Sequence, residues 1–464
     1  MSSTHLTPQP EYSFGQAPRA LPLLGHTLPL LRDPHSFLTS LPAFGDLVRI
    51  RIGPSIAIMI CDPELTRQVL LDDRTFDKAG LVLDRVAEVL GDGMATCPHS
   101  RHRRQRRLAQ PAFHPSRFPD YTQTMREQAD LMVDTWRDGQ VLDVLPAMVS
   151  LTACTTAEAL FKGSLPPHAQ RQVIDDIITL PKGIYRRAIS PHTLNRVPTP
   201  GNRRYRRART RLRQTVDGIV IARQAEGTDH GDLLSALLAT RNFGAVDGHD
   251  DLALTDAEIS DQAITFFLGG VETAASALAW SLHLLGQHPA VTSRLQAEID
   301  AVIAGESVSY EHLAELTYTR QILTETLRLR PPIWISTRVT SVDTNLGGHP
   351  IPAGTTIIYS PYLIHHRNDL YDNPEHFDPD RWDETRMTPQ RSALVPFSGG
   401  PRKCIGDNFA IAEAIIALAT IYARWQLRPI PNNRVRPAFN ITLTPHHLRM
   451  VITERETKRE KLRS

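Results

Sequence analysis

Residues Phe397 to Gly406 read FSGGPRKCIG. The chain holds four cysteines in 464 residues, and Cys404 is one of them. It stands between a glycine turn and an Ala/Ile-rich stretch, Asp407 to Tyr422, whose pattern predicts a helix. Gly399 and Gly400 open backbone angles closed to other residues, and Pro401 stiffens the approach. A helix starting near Ile405 would put Cys404 at its N-terminus, where unpaired N–H groups and the helix dipole favour a thiolate. Arg402 and Lys403 add positive charge, and Gly406 leaves room for something bulky against the backbone. The loop alone leaves three readings open: a buried structural thiol, a nucleophile, or a metal ligand. A nucleophile needs a base, which no motif supplies. A thiolate on haem iron needs no second ligand from this loop.

The rest of the chain limits the setting. Cys61, Cys97 and Cys154 form no CxxC pair and no zinc spacing, and Cys61 and Cys154 sit in apolar stretches. With no signal-peptide pattern, a reducing cytoplasm is expected. Hydrophobic residues make up 41% and charged residues 22%, ordinary for a globular protein. No run of 18 apolar residues occurs, so no membrane span is predicted. LVRIRIG (from Leu47) and SIAIMIC (from Ser55) predict a hairpin, and Asp62-Pro63 predicts a helix start. Helical periodicity dominates from about 120 to 300, broken near Pro191, Pro198 and Pro200. A long apolar helix is predicted from Thr255 to Gln287, and another from Leu316 to Arg330. The fold class is mainly α with a small β part. We expect a loose arm over 1–20, one unit over 21–455 and a charged tail over 456–464.

Three further motifs carry chemistry. Glu325 and Arg328 (ETLR) lie three apart on one helical face and can pair. LGGVETA, Leu268 to Ala274, sits inside the long apolar helix. Adjacent glycines there cost about 1 kcal/mol each relative to Ala, and such a violation often marks function. Close helix packing at Gly269-Gly270, with Thr273 bonded back to a carbonyl, explains the same residues without function. In HRRQRR, His102 and Arg106 share a helical face, while Arg103, Arg104 and Arg107 read as a solvated basic face.

In this order and spacing, these motifs resemble the cytochrome P-450 family. Phe397, Gly400, Cys404 and Gly406 match the family's haem loop, which makes Cys404 the implied axial ligand of haem b. The resemblance implies that Arg381, in FDPDRW, completes a structural group with Glu325 and Arg328. It implies that Glu272 and Thr273 help deliver protons during oxygen activation. It sets His102, Arg106, Arg338 and Arg402 against the haem propionates, a role that suits guanidinium groups. The implied fold is a triangular helical prism around a buried haem.

The activity implied is a monooxygenase that inserts oxygen from O2 into a C–H bond. Electrons would come from NAD(P)H through a ferredoxin reductase and a ferredoxin, the latter drawn to the basic face of Arg103, Arg104 and Arg107. The segments expected at the pocket, AGLVLDRV, FFLGG, IWIS and NITL, are apolar, with Asp84 and Arg85 the charged exceptions. A terpene fits them, and the chain is similar to actinobacterial sesquiterpene oxidases within the family, enzymes of antibiotic biosynthesis. A fatty acid, steroid or macrolide is the alternative substrate, and a haem-binding sensor the alternative class. A monomer is expected. Ile177 to Val216 holds eleven Lys/Arg and no acid. It matches the family's lid, and with Tyr205 the only aromatic in NRRYRRARTRLR it lacks the stacking platform of a nucleic-acid module.

Overall fold

The structure is a computed structural model that describes residues 11–165, 167–190, 195–247, 253–386 and 391–455. The expected tail over 456–464 lies outside these residues. Strand β1 (Phe14–Gln16) runs parallel to β2 (Leu47–Ile52), with Phe14 opposite Leu47. The expected loose arm is therefore a paired strand from Phe14 onward. β2 and β3 (Ser55–Ile60) form the expected hairpin, Leu47 opposite Ile60, and Gly53 takes the left-handed turn position at φ +58. The Asp62 carboxylate accepts from the N–H groups of Glu64 and Leu65 and so caps α1 (Pro63–Leu71). β4 (Phe76–Asp77) and α2 (Leu81–Leu90) follow.

Among the helices used below, α3 (His99–Ala109) and α4 (Val144–Phe161) flank β5 (Val141–Asp143) in the chain, before α5 (Pro167–Ile189) and α6 (Pro200–Glu226). The long apolar stretch is one 32-residue helix, α7 (Asp256–Gln287). Its N-terminus is a capping box: Thr255 accepts from the Glu258 N–H, and the Glu258 carboxylate accepts from Thr255. α8 (Thr317–Leu329) ends just before Pro331-Pro332. Then come β6 (Ser336–Thr340), β7 (Thr344–Leu346), β8 (His349–Ile351), β9 (Thr356–Tyr359), α9 (Asp407–Arg424), β10 (Trp425–Pro429), β11 (Arg436–Phe439), β12 (Leu443–His446) and β13 (Arg449–Glu454).

Chain contacts divide these elements into two compact units. The first comprises the described parts of Met1–Gly80, Ile335–Asp372 and Pro389–Lys403. Its centre is a six-stranded sheet in the order β1-β2-β3-β9-β6-β4. Leu47, Ile60, Leu65, Val69, Phe76 and Ile357 form its core, where α1 covers the sheet. The second unit comprises the described parts of Leu81–Trp334, Asn373–Thr388 and Cys404–Ser464 and holds the long helices. Within it β10, β13 and β5 form one small sheet, and β11 pairs with β12 in another. The Thr152 hydroxyl donates to the Val271 carbonyl at 3.0 Å and ties α4 to α7. Both α4 and α7 are long and apolar enough to cross a membrane, but 67% and 72% of their apolar windows are buried inside the protein. Their hydrophobicity serves the core.

Candidate active site

The FSGGPRKCIG loop turns on Gly400. Its φ is +64, and an added Cβ would lie 2.0 Å from the Leu70 carbonyl oxygen. No other residue fits there without moving backbone. A short 3-10 turn, Gly400–Arg402, follows within the first unit. Cys404 opens the second unit's last segment and is exposed, whereas Cys61 and Cys97 are buried. The helix starts later than expected: α9 begins at Asp407 with Gly406 as its N-cap, so Cys404 lies two residues before the cap. A Cβ on Gly406 would meet only the Phe113 ring edge, at 3.6 Å. No part of the described chain presses on that glycine.

In the first unit Arg338 is 2% exposed. One Nη donates to its neighbour's carbonyl, Thr337 O, at 2.9 Å, and the guanidinium stands 5.3 Å from the Tyr359 ring centroid. No described carboxylate pairs with it. An uncompensated buried cation is costly, so this one calls for an anion. Arg402, also buried, differs from expectation. Its Nε donates to Asp73 at 2.8 Å and an Nη to Asp77 at 2.9 Å. Two carboxylates already counter its charge, so a propionate would be a further acceptor and not its main partner. Phe397 is half-buried, and Tyr359 reaches the hydroxyl of Ser398 beside it at 3.3 Å.

In the second unit α3 carries His102, buried at 3% exposure, and Arg106 one turn later, half-buried. The expected basic face is smaller than its sequence suggests. Arg104 donates to Glu258 at 2.7 Å, and Arg103 and Arg107 remain as exposed cations.

The Gly-Gly-x-Glu-Thr segment of α7 resolves into separate parts. A Cβ on Gly270 would meet Thr156 Oγ1 at 3.1 Å, so Gly270 serves helix packing. Gly269 has nothing within 4 Å of an added Cβ and is exposed in the largely buried middle of the helix. Thr273 donates to the Gly269 carbonyl at 2.6 Å. Glu272 accepts from the Thr442 hydroxyl at 2.9 Å. Burial pushes the Glu272 carboxyl up to about 7, offset in part by that hydrogen bond and by the charge of Lys182. It can therefore take and release a proton near neutral pH.

Glu325 and Arg328 are fully buried and paired twice, Nε to Oε2 at 2.9 Å and Nη2 to Oε1 at 2.8 Å. Arg381 joins at 3.4 Å. Arg328 also donates to the carbonyls of Pro374 and His376. Trp382 plays a part that the sequence did not reveal: its indole N–H donates to Glu325 at 2.9 Å.

Several apolar segments expected at the pocket contribute to packing. Phe266 meets Phe113 edge-on at 5.1 Å, and Phe267 meets Phe161. The Trp334 indole donates to the Asn440 carbonyl at 2.8 Å. Of the charged exceptions, Arg85 pairs with Glu88 and Asp84 is exposed. Tyr205, the aromatic of NRRYRRARTRLR, is 1% exposed, with Arg187 over its ring. It offers no platform for a base.

The family model for "Cytochrome P450" matches residues 16–452. A cyclooctat-9-en-7-ol 5-monooxygenase of Streptomyces melanosporofaciens is 44% identical over 91% of this chain and 92% of its own length. A pentalenene oxygenase of Streptomyces avermitilis is 41% identical over 96% and 99%. The haem domain of cytochrome P450DA superposes with a TM-score of 0.84 at 26% identity, covering 96% of this chain and 98% of its own. The chain belongs to the cytochrome P450 family and has its fold. It is a P450 monooxygenase, a haem enzyme as the family implies. Each unit holds residues of the kind such a group needs: in the second, an exposed thiol and an open helical glycine at Gly269, and in the first, a buried arginine, Arg338, with no described carboxylate partner.

Proposed function

We propose that this monooxygenase oxidises a compact terpene, a sesquiterpene hydrocarbon of the pentalenene kind, at a methyl group and onward through alcohol and aldehyde to acid. The observation that carries the reading is Glu272-Thr273 beside the open Gly269, in the largely buried middle of the long helix. The names of the two relatives, one a cyclooctat-9-en-7-ol 5-monooxygenase and one a pentalenene oxygenase, favour a hydrocarbon-like substrate.

Bound haem supplies oxygen activation and C–H oxidation. The chain supplies the rest. Cys404 would supply the thiolate that holds the iron, and Gly406, on which no described residue presses, would leave room for the group. As the family resemblance implies, His102, Arg106 and Arg338 would hold the propionates, while the charge of Arg402 is already countered by Asp73 and Asp77. Glu272 holds a proton at its carboxyl, and the Thr273 hydroxyl stands one residue on to pass it. The apolar segments that the resemblance sets at the pocket would exclude water and bind the hydrocarbon. Electrons come from NAD(P)H through a ferredoxin reductase and a ferredoxin, which meets Arg103 and Arg107, in the cytoplasm.

The test has two arms. The reduced protein with carbon monoxide should give a strongly red-shifted Soret band that Cys404→Ser abolishes. The enzyme reconstituted with ferredoxin and reductase should then convert terpene hydrocarbons in a panel that also holds fatty acids and steroids. Turnover of only the latter would overturn the substrate class and leave the haem assignment intact.

A further inference from the structure

The oxidation chemistry gives no reason for the basic tract of eleven Lys/Arg from Ile177 to Val216. Helices α5 and α6 gather its cations. Arg186 lies over Gly201, where an added Cβ would meet its Nη1 at 2.1 Å, and it donates to Asn202 at 3.3 Å. Arg206 donates to the carbonyls of Asn195 and Arg196 at 3.3 and 3.1 Å. Arg196, Arg203, Arg204 and Arg207 are exposed. None of these six has a carboxylate partner among the described residues. By contrast Arg187, Arg211 and Arg213 pair with Glu88, Asp176 and Asp261. The fold neutralises one group of arginines and leaves another uncompensated.

Two observations separate this surface from an ordinary solvated face. α6 has no acid in its first turn, and Arg203 and Arg204 follow directly on that turn. The N-terminal end of a helix already carries partial positive charge, so cations there are unfavourable until an anion joins them. Among the arginines, Ile189 and Val197 are 48% and 46% exposed. Val197 is fixed in place by the Asn202 amide, which donates to its carbonyl at 2.8 Å.

We propose that this surface docks on an anionic phospholipid bilayer, the arginines taking lipid phosphates and Ile189 and Val197 entering the headgroup boundary. Guanidinium groups bind phosphate in paired hydrogen bonds. Arg206, Arg207 and Thr210, with the Asp176-paired Arg211, line a shallow, open part of this surface. Apolar side chains set among basic ones are the pattern of interfacial binding. An acidic protein suits the surface less well. Protein interfaces fix their register with complementary charges, and this tract has a single sign throughout. A bilayer is a continuous negative sheet and needs no register. The proposal does not depend on the substrate class.

The test uses the holoenzyme and vesicles of phosphatidylcholine, with or without phosphatidylglycerol, in a flotation assay. Binding should require phosphatidylglycerol and fall with salt. Each arginine near the surface contributes about 5-fold, so R203E/R204E/R207E should weaken binding by roughly two orders of magnitude or more. I189S/V197S should weaken it by roughly 10-fold at unchanged charge. The carbon monoxide spectrum of both variants should match the parent. Equal vesicle binding by parent and charge-reversed protein would overturn the proposal. So would no binding to phosphatidylglycerol vesicles while inorganic pyrophosphate binds, which would mark a small-anion site. Loss of ferredoxin-dependent reduction in the charge-reversed variant, with vesicle binding kept, would assign the surface to a protein and overturn it equally.

Discussion

The Thr442 hydroxyl, in the turn between β11 and β12, donates to the Glu272 carboxylate on α7 at 2.9 Å. Both residues belong to the second unit. Neighbouring bonds hold the turn on the helix: Ser276 and the Trp280 indole of α7 donate to the Leu443 carbonyl at 2.6 and 2.9 Å. The acid proposed to hold a proton is thus oriented by a strand turn 170 residues further along the chain.

Thr442→Val removes that donor and keeps the shape. A hydrogen bond to a charged group contributes about 1.5–3 kcal/mol, so losing it should raise the Glu272 pKa further, by about one to two pH units. The carboxyl stretch of Glu272, identified by its loss in Glu272→Gln, should titrate at higher pH in the Val variant and near the parent value in Thr442→Ser. An unmoved titration would show that the contact does not act on Glu272.

Thr273 already bonds to the Gly269 carbonyl, so its hydroxyl is oriented at rest. Thr273→Ala should leave the carbon monoxide spectrum unchanged while product per NADPH falls, with a rate loss of about 10²-fold, the low end for proton-transfer groups. Retained product yield in the Ala variant would remove Thr273 from the proton path.

Much of this was legible in the sequence. Regular periodicity set α7 to within a residue, because its apolar run ends at capping residues whose chemistry is local. The Glu325/Arg328 pair was legible because three-residue spacing on a helix forces contact. Partners brought together by tertiary folding were not. Asp73 and Asp77 reach Arg402 across 329 and 325 residues, and nothing near FSGGPRKCIG signals them. Thr442 was hidden in the same way within an apolar segment. Gly269 and Gly270 are alike in sequence, yet one faces open space and the other a threonine. Glu413 had a local signal that could have been read: an acid at an interior position of the Ala/Ile-rich helix α9.

That acid yields a pH prediction. Glu413 is buried at 2% exposure, and the Thr155 hydroxyl beside it offsets that burial only in part. Burial pushes its pKa up to about 8 from an ordinary 4.5. The folded protein keeps this proton where the unfolded chain has released it. Its contribution to stability is therefore full below pH 4.5 and is lost as pH rises towards about 8. Glu413→Gln should flatten that decline and stabilise the protein by a few kcal/mol (about) at alkaline pH, with little change near pH 5. Thermal unfolding across this range measures it, and an identical slope in the variant would refute the assignment. Glu272, raised to about 7, adds a decline of the same sign over a narrower window.

The Glu325 group separates a hydrogen bond from a charge. Trp382→Phe removes one indole donor from a carboxylate that keeps Arg328 and Arg381. The expected loss is about 1.5–3 kcal/mol, the range for a bond to a charged group. Arg328→Leu removes the main counter-charge and strands Glu325 at 0% side-chain exposure. Breaking a buried pair this way costs about 3–5 kcal/mol, with the Pro374 and His376 carbonyls losing their donor as well. Denaturant unfolding of the haem-loaded proteins should therefore rank parent, Trp382→Phe and Arg328→Leu in that order. The double change Glu325→Leu/Arg328→Leu should recover part of the Arg328→Leu loss, because it removes the stranded charge along with its partner. If the double variant is no more stable than Arg328→Leu, the damage lies in the lost carbonyl bonds that tie α8 to Pro374 and His376, and charge pairing is not what this group contributes.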